Sequence, residues 1–218
     1  MSDLSAARAF MVEGQVRTND VTDRRIADIM GRLERERFVP AEKRALAYAD
    51  ICVEVKPGRF QLDPRSFAKL LQLAEIAESD RVLDVACATG YSTAVLCQMS
   101  ADVVALEEDA DLAKFAAPIL RSCDKRGRVF GVVGPHKDGA APQAPFDVIF
   151  VNGAVDEIPQ TWIDQLNEGG RMVAIINEGP VGKAHFCVRK GGTLSRRVAF
   201  DATVPVLPGF ERSRSFVF

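Results

Sequence analysis

No apolar stretch in the 218-residue sequence approaches the roughly 20 residues that a bilayer-spanning helix needs, which argues against a membrane protein. Met1 to Phe10 carries no apolar segment behind a basic start, so no secretory leader is expected and the cytoplasm is the expected location. Basic blocks are missing too. Lys and Arg total 28 against 30 Asp and Glu, a net charge of -2, and no run of one sign stands apart from its opposite. Neither nucleic acid nor an anionic membrane surface is therefore an expected partner. Histidine is scarce: His136 and His185 are the only two. Both are read as surface or strand-end residues, and no metal site is expected. The five cysteines, Cys52, Cys87, Cys97, Cys123 and Cys187, are odd in number and scattered. They fit reduced thiols better than a disulfide framework or a zinc cage. Internal repeats, low-complexity tracts and interdomain linkers are also missing.

What remains is an ordinary globular composition, 47% hydrophobic and 27% charged, far from the signature of disorder. A chain of this length can bury one continuous α/β core, so a single domain over residues 1–218 is expected. Residues 1–79 read as a helical and loop-bearing cap, and residues 80–218 as the sheet core. In the cap, Ile26, Ile29, Met30 and Leu33 recur at three- and four-residue spacing, which predicts an amphipathic helix from Thr22 to about Arg37, ended by Phe38-Val39-Pro40. A second helix should start at Asp63-Pro64, where the aspartate caps free amides and the proline supplies a helical φ.

After Asp80 short apolar runs alternate with helical stretches. Strands are predicted at Arg81 to Ala86, Asp102 to Glu107, Val129 to Val133, Phe146 to Asn152 and Arg171 to Asn177. Helices are predicted at Tyr91 to Met99, Asp109 to Cys123 and Ile158 to Leu166. That alternation implies a mostly parallel, Rossmann-like sheet covered on both faces. From Ala184 to Phe200 two strand-like runs flank Gly191-Gly192, so the last strands should be antiparallel. The stretch Pro205 to Phe218 is read as packing on the sheet edge.

In such a sheet, ligands bind beyond the carboxyl ends of the strands. Two features fall there. The first is the turn Asp84-Val85-Ala86-Cys87-Ala88-Thr89-Gly90-Tyr91, whose small residues let backbone amides approach a ligand; the blander reading is a close-packed turn with no ligand. The second is Glu107 at the end of the next strand, placed to accept hydrogen bonds from the vicinal hydroxyls of a ribose, while Glu108 and Asp109 cap the following helix. Cys87 reads as a small buried thiol rather than a nucleophile.

Met11-Val12, Gln15, Asp23, Ile26, Phe38-Val39-Pro40, Ala47-Tyr48 and Asp50, followed by the Asp84 to Tyr91 turn, Glu107, Pro145 to Ile149, Ile158-Pro159, Gln165-Leu166 and Gly169-Gly170, resemble in order and spacing the protein-L-isoaspartate O-methyltransferase family. The resemblance implies a class I methyltransferase fold and S-adenosylmethionine as cofactor. It also implies methyl transfer to the free α-carboxyl of isoaspartyl residues in damaged proteins, giving an ester that collapses to a succinimide. Carried over position by position, the cofactor would be held by Asp84, Ala86, Cys87, Ala88, Gly90, Tyr91, Glu107 and Gly134, and the acceptor covered by Gln61, Leu62, Asp63 and Pro64. Three departures from the pattern follow. Leu62 stands where the family has a serine, Ala86 and Ala88 replace glycines of the cofactor turn, and Gly134-Pro135-His136 lacks the aspartate that holds the adenine. Asp63 would also repel a carboxylate substrate unless Arg59 or Arg65 compensates, or unless it serves as a helix cap. Three readings stand: an isoaspartyl methyltransferase, a methyltransferase with another acceptor, and a non-catalytic relative kept as a binding module. Oligomeric state is not legible.

Overall fold

The computed structural model describes residues 4–100, 102–124 and 128–212. Helix α1 (Leu4–Met11) continues through a π-helical stretch, Val12–Val16, into a single 3₁₀ turn. The oxygen Oδ1 of Asp23 accepts the Arg25 amide at 2.9 Å and starts α2 (Arg24–Arg32). This helix is shorter than its periodicity suggests. The chain turns out at Leu33 and re-enters as a 3₁₀ turn, Arg35–Phe38, which lets Phe38 and Val39 reach the core.

Strands β1 (Val53–Lys56) and β2 (Arg59–Gln61) form an antiparallel hairpin about Gly58, whose φ of 75° suits the tight turn. The segment leading to Leu62 is thus strand as far as Gln61. Asp63 then caps α3 (Pro64–Ala74), Oδ1 accepting the Ser66 amide at 2.7 Å, with Pro64 in the first turn as its fixed φ favours.

The core runs β3 (Arg81–Val85), α4 (Tyr91–Met99), β4 (Asp102–Glu107), α5 (Ala110–Cys123), β5 (Val129–Val133), β6 (Phe146–Val155), α6 (Gln160–Asp164), β7 (Leu166–Ile176), β8 (Lys183–Lys190) and β9 (Thr193–Asp201). The sheet order is β5-β4-β3-β6-β7-β8-β9. Strands β5 to β7 are parallel; β8 is antiparallel to β7, and β9 to β8. Because β3 pairs with β4 on one side and β6 on the other, the connections diverge above its carboxyl end and leave a crevice there.

Strand β6 runs three residues past Asn152, beyond the last rung it shares with β3 at Val85 and Val151. Its extension finds a new neighbour in the C-terminal segment, where the Ala154 amide donates to Pro205 O at 3.0 Å and the Leu207 amide to Ala154 O at 2.8 Å. Phe210 then packs on Trp162 with ring centroids 5.3 Å apart. The segment therefore lies over the middle of the sheet rather than its edge, and residues 213–218 fall outside the described part.

Two apolar layers sandwich the middle of the sheet, while the edge strands β5 and β9 are largely exposed rather than covered on both faces. Val16, Ile26, Phe38 and Phe67 from the cap join Val82, Tyr91, Val95 and Phe150 on one face, so cap and sheet share a continuous core. Leu83, Ile149, Trp162, Met172 and Leu207 fill the other. No described helix is long and apolar enough to cross a membrane.

Candidate active site

The turn from β3 into α4 is left-handed at three positions: Ala86 (φ 60°), Ala88 (φ 50°) and Gly90 (φ 89°). For an alanine that conformation costs roughly 1–2 kcal/mol, because Cβ crowds the next carbonyl. Gly90 has a further reason to lack a side chain, since an added Cβ would sit 3.2 Å from Ala116 Cβ on α5. The Cys87 and Gly90 amides close the turn on Leu106 O (3.1 Å) and Cys87 O (2.8 Å), and Thr89 Oγ1 donates to Phe38 O at 2.7 Å, tying the turn to the cap. Burial, reinforced by the Asp84 and Glu107 carboxylates, pushes the Cys87 thiol well above its usual range, which leaves no thiolate for nucleophilic work.

Asp84 is fully buried. Its Oδ2 accepts Ser92 Oγ at 2.8 Å and Thr93 Oγ1 at 2.6 Å, and its Oδ1 accepts Asn152 Nδ2 at 2.5 Å. Burial raises its pKa to about 6, against the pull of these three donors.

Glu107, at the tip of β4, is also buried, yet it is held as a carboxylate. Burial alone would raise its pKa, but Arg59 and the Asp109 amide outweigh that and bring it to about 2. The Arg59 guanidinium grips it with two bonds, Nη1 to Oε1 at 2.6 Å and Nη2 to Oε2 at 2.9 Å, and Nη2 also reaches Ala86 O at 3.3 Å. The Ala88 amide donates to Oε2 at 2.8 Å and the Asp109 amide to Oε1 at 3.0 Å. All four acceptor directions of the carboxylate are thereby used.

The histidines are not on the surface. Both His136 and His185 are 2% exposed. His136 Nε2 accepts the Glu108 amide at 3.1 Å and stands 3.5 Å from Glu107 Oε1, while Trp162 Nε1 donates to its carbonyl at 2.8 Å. The turn after β5 folds this residue inward because Pro135 starts a 3₁₀ turn at His136–Asp138. The Gly134 amide bonds Glu107 O at 3.1 Å.

The loop over the crevice is closed and mostly apolar inside. Gln61, Leu62, Asp63 and Pro64 are all buried, and both amide atoms of Gln61 lack a partner. Asp63 serves as the α3 cap. Arg59, which might have balanced its charge, is committed to Glu107. Arg35, wholly buried, donates from Nε to Ala47 O at 2.7 Å and from Nη2 to Leu62 O, and its Nη1 has no partner. Arg35, Gln61, Leu62, Ala86, Ala88 and Tyr91 surround a cavity of only about 20 Å³, room for a single water.

The cavity is bounded by Ala86, Cys87, Ala88, Thr89 and Tyr91 of the turn and by Gln61 and Leu62 of the loop; Asp84, Glu107, Gly134, Asp63 and Pro64 do not line it, but Glu107 joins the same site through the Ala88 amide. Arg59, Arg35, His136 and Asn152 complete it. None of these four has a sequence signal of its own, because each arrives from a different segment and its role depends on the partner it meets. In kind, the amides of the turn and the carboxylate of Glu107 suit an adenosyl ligand. The space of about 20 Å³ over the turn is too small for one, since drug-sized ligands occupy pockets of roughly 300–1,000 Å³, whereas Glu107 and Cys87 also line a cavity of about 430 Å³ with Ala113, Ala117 and Val133.

The strand order, the tight turn from β3 into α4 and the acidic end of β4 define a class I methyltransferase fold. The family model for protein-L-isoaspartate(D-aspartate) O-methyltransferase matches residues 8–205, and the chain belongs to that family. A protein-L-isoaspartate O-methyltransferase of Koribacter versatilis is 36% identical over 194 residues, covering 89% of this chain and 86% of that protein. One of Methylorubrum populi is 38% identical over 177 residues, covering 81% and 82%. Among solved structures, a protein-L-isoaspartate O-methyltransferase superposes with a TM-score of 0.77 at 25% identity, over 93% of this chain and 66% of that one. A Plasmodium falciparum protein solved with S-adenosyl-L-homocysteine has the same fold, with a TM-score of 0.77 at 20% identity over 92% and 97% of the two chains.

Proposed function

We propose that the protein is an S-adenosylmethionine-dependent methyltransferase that esterifies the free α-carboxyl of isoaspartyl residues in damaged proteins. The observation that carries this reading is the placement of the Ala86 to Tyr91 turn and Glu107 at one divergence of the sheet, in a chain of this family. The cofactor supplies a methyl group activated on a sulfonium. Every other requirement falls on the protein. The Ala86 to Tyr91 turn lines one side of the crevice with Asp84 buried beneath it, and Glu107 is the acceptor for ribose hydroxyls once Arg59 has left it.

A carboxylate acceptor is already nucleophilic, so the protein needs to orient it and keep water away rather than remove a proton. Arg35 and Gln61 are suited to that task. The buried guanidinium has a free Nη1 beside the roof, and the Gln61 amide, also unpartnered, faces the same space. These two groups stand in for the hydroxyl lost at Leu62. The cytoplasm is the setting we infer, where the cysteine thiols stay reduced.

The test is a calorimetric titration with S-adenosylhomocysteine followed by transfer of radiolabelled methyl to an isoaspartyl peptide and to its aspartyl isomer. Binding with transfer to the isoaspartyl peptide alone is expected. Binding with no transfer to either peptide would leave the cofactor and reject the acceptor.

A further inference from the structure

Arg59 is the feature of this crevice that the proposed reaction does not use. It sits at the start of β2, immediately after the Gly58 turn, and its side chain crosses from the cap to the tip of β4. There it makes a two-point ion pair with Glu107 at 2.6 and 2.9 Å, in which guanidinium and carboxylate are both buried. A third bond, to Ala86 O at 3.3 Å, places the guanidinium over the turn itself. The carboxylate it grips is the one to which ribose hydroxyls must bond under the reading above, and that carboxylate has no acceptor direction left.

We propose that Arg59 is an internal occupant of the nucleoside site and sets the affinity for the cofactor: an adenosyl ligand binds only when the guanidinium gives up Glu107. This inference rests on the methyltransferase reading and deepens it. The physical reason is a mismatch of bond strengths. A bidentate pair of opposite full charges in a buried site is exchanged for bonds from neutral hydroxyls to the same carboxylate, and the guanidinium loses its buried counter-charge. The displaced guanidinium must also find new partners, since its Nε already has none in the closed form. Binding is therefore weaker than the rest of the crevice would allow. The hairpin is suited to the movement: Arg59 belongs to a three-residue strand paired only with β1, outside the seven-stranded sheet.

The competition is testable without turnover, by titrating S-adenosylhomocysteine calorimetrically into the wild type and into Arg59→Gln, each first checked for folding by circular dichroism. Glutamine keeps the polar stem and removes the charge and the fork. Affinity higher by about tenfold or more in the variant is expected, equal to about 1.4 kcal/mol. Equal or weaker binding by a folded Arg59→Gln overturns the role of Arg59 and leaves the cofactor reading standing. If neither protein gives heat at millimolar ligand, the cofactor reading falls and the Arg59 proposal falls with it. Should loss of the pair prevent folding, Arg59→Lys carries the same comparison, because lysine keeps the charge as a single point and cannot hold both carboxylate oxygens. Tighter binding than wild type again supports the proposal, and unchanged or weaker binding overturns it.

Discussion

The guanidinium of Arg35 lies over the ring of Tyr91, 4.8 Å from its centroid, and joins the cap to the first residue of α4. Stacking of this kind adds to the two carbonyl bonds that Arg35 makes, to Ala47 and Leu62. Replacing Arg35 by methionine preserves most of the volume but leaves both carbonyls buried and unpaired. A loss of about 2–4 kcal/mol in urea unfolding is expected, from two lost bonds at 1–2 kcal/mol each. A variant as stable as the wild type would show that the cap does not depend on this residue. Lysine should not rescue it, since one ammonium cannot span the two carbonyls.

Asp84 and Glu107 give stability opposite dependences on pH. The folded pKa of Asp84, about 6, lies above its ordinary 3.8, so the unfolded chain releases its proton first as pH rises. The stability of wild type relative to Asp84→Asn should therefore fall between about pH 4 and 6 and level off above, by roughly 3 kcal/mol. The folded pKa of Glu107, about 2, lies below 4.5, so its contribution is full above pH 4.5 and is lost as pH falls toward 2. Urea midpoints measured across this range in wild type, Asp84→Asn and Glu107→Gln test both signs. A flat difference curve for Asp84→Asn would contradict the burial argument.

In the β3–α4 turn the sense of a glycine exchange should depend on position. Ala88→Gly relieves a left-handed alanine at φ 50° at the cost of a freer unfolded chain, for a net gain of up to about 1 kcal/mol. Gly90→Ala does the reverse at φ 89°, and its new methyl meets Ala116 Cβ at 3.2 Å; a loss of about 2 kcal/mol or more is expected. Thermal unfolding of the two variants decides the matter. Stabilisation by Gly90→Ala would mean that the turn is not held as described.

Leu62→Ser returns a hydroxyl to the roof of the crevice. Leu62 is 3% exposed, so truncation should cost stability by about 2–4 kcal/mol. If the roof meets the acceptor, KM for an isoaspartyl peptide should fall while the affinity for S-adenosylhomocysteine stays unchanged. A changed cofactor affinity with unchanged KM would place the roof over the cofactor instead.

Much of this architecture was legible in the order of residues. The strands β4 and β5 and the helix α4 have the bounds that their apolar runs predict; β4 is buried on both faces and so is apolar between its ends, while β5 is an edge strand that leaves Phe130 and Val133 exposed. Asp63-Pro64 and Asp109 announce helix starts through chemistry confined to one turn. The outcome differed where the deciding partner lay far along the chain. Helix α2 stops at Arg32 because Phe38 and Val39 have a core to enter; β6 overruns Asn152 because Pro205 and Leu207 wait beside it; His136 is buried because Glu108 and Trp162 receive it.

Local chemistry by itself determined the sheet, its direction, the small-residue turn and the acid at the end of β4, since periodicity, capping and backbone freedom act over a few residues. Tertiary structure alone decided the state of the crevice. Arg59 and Glu107 are separated by 48 positions, and whether that carboxylate faces solvent, a ligand or a guanidinium depends on how the hairpin folds back over the sheet. Hydrogen bonds and ion pairs are strong only at contact, and no run of neighbouring residues encodes a contact made between distant ones.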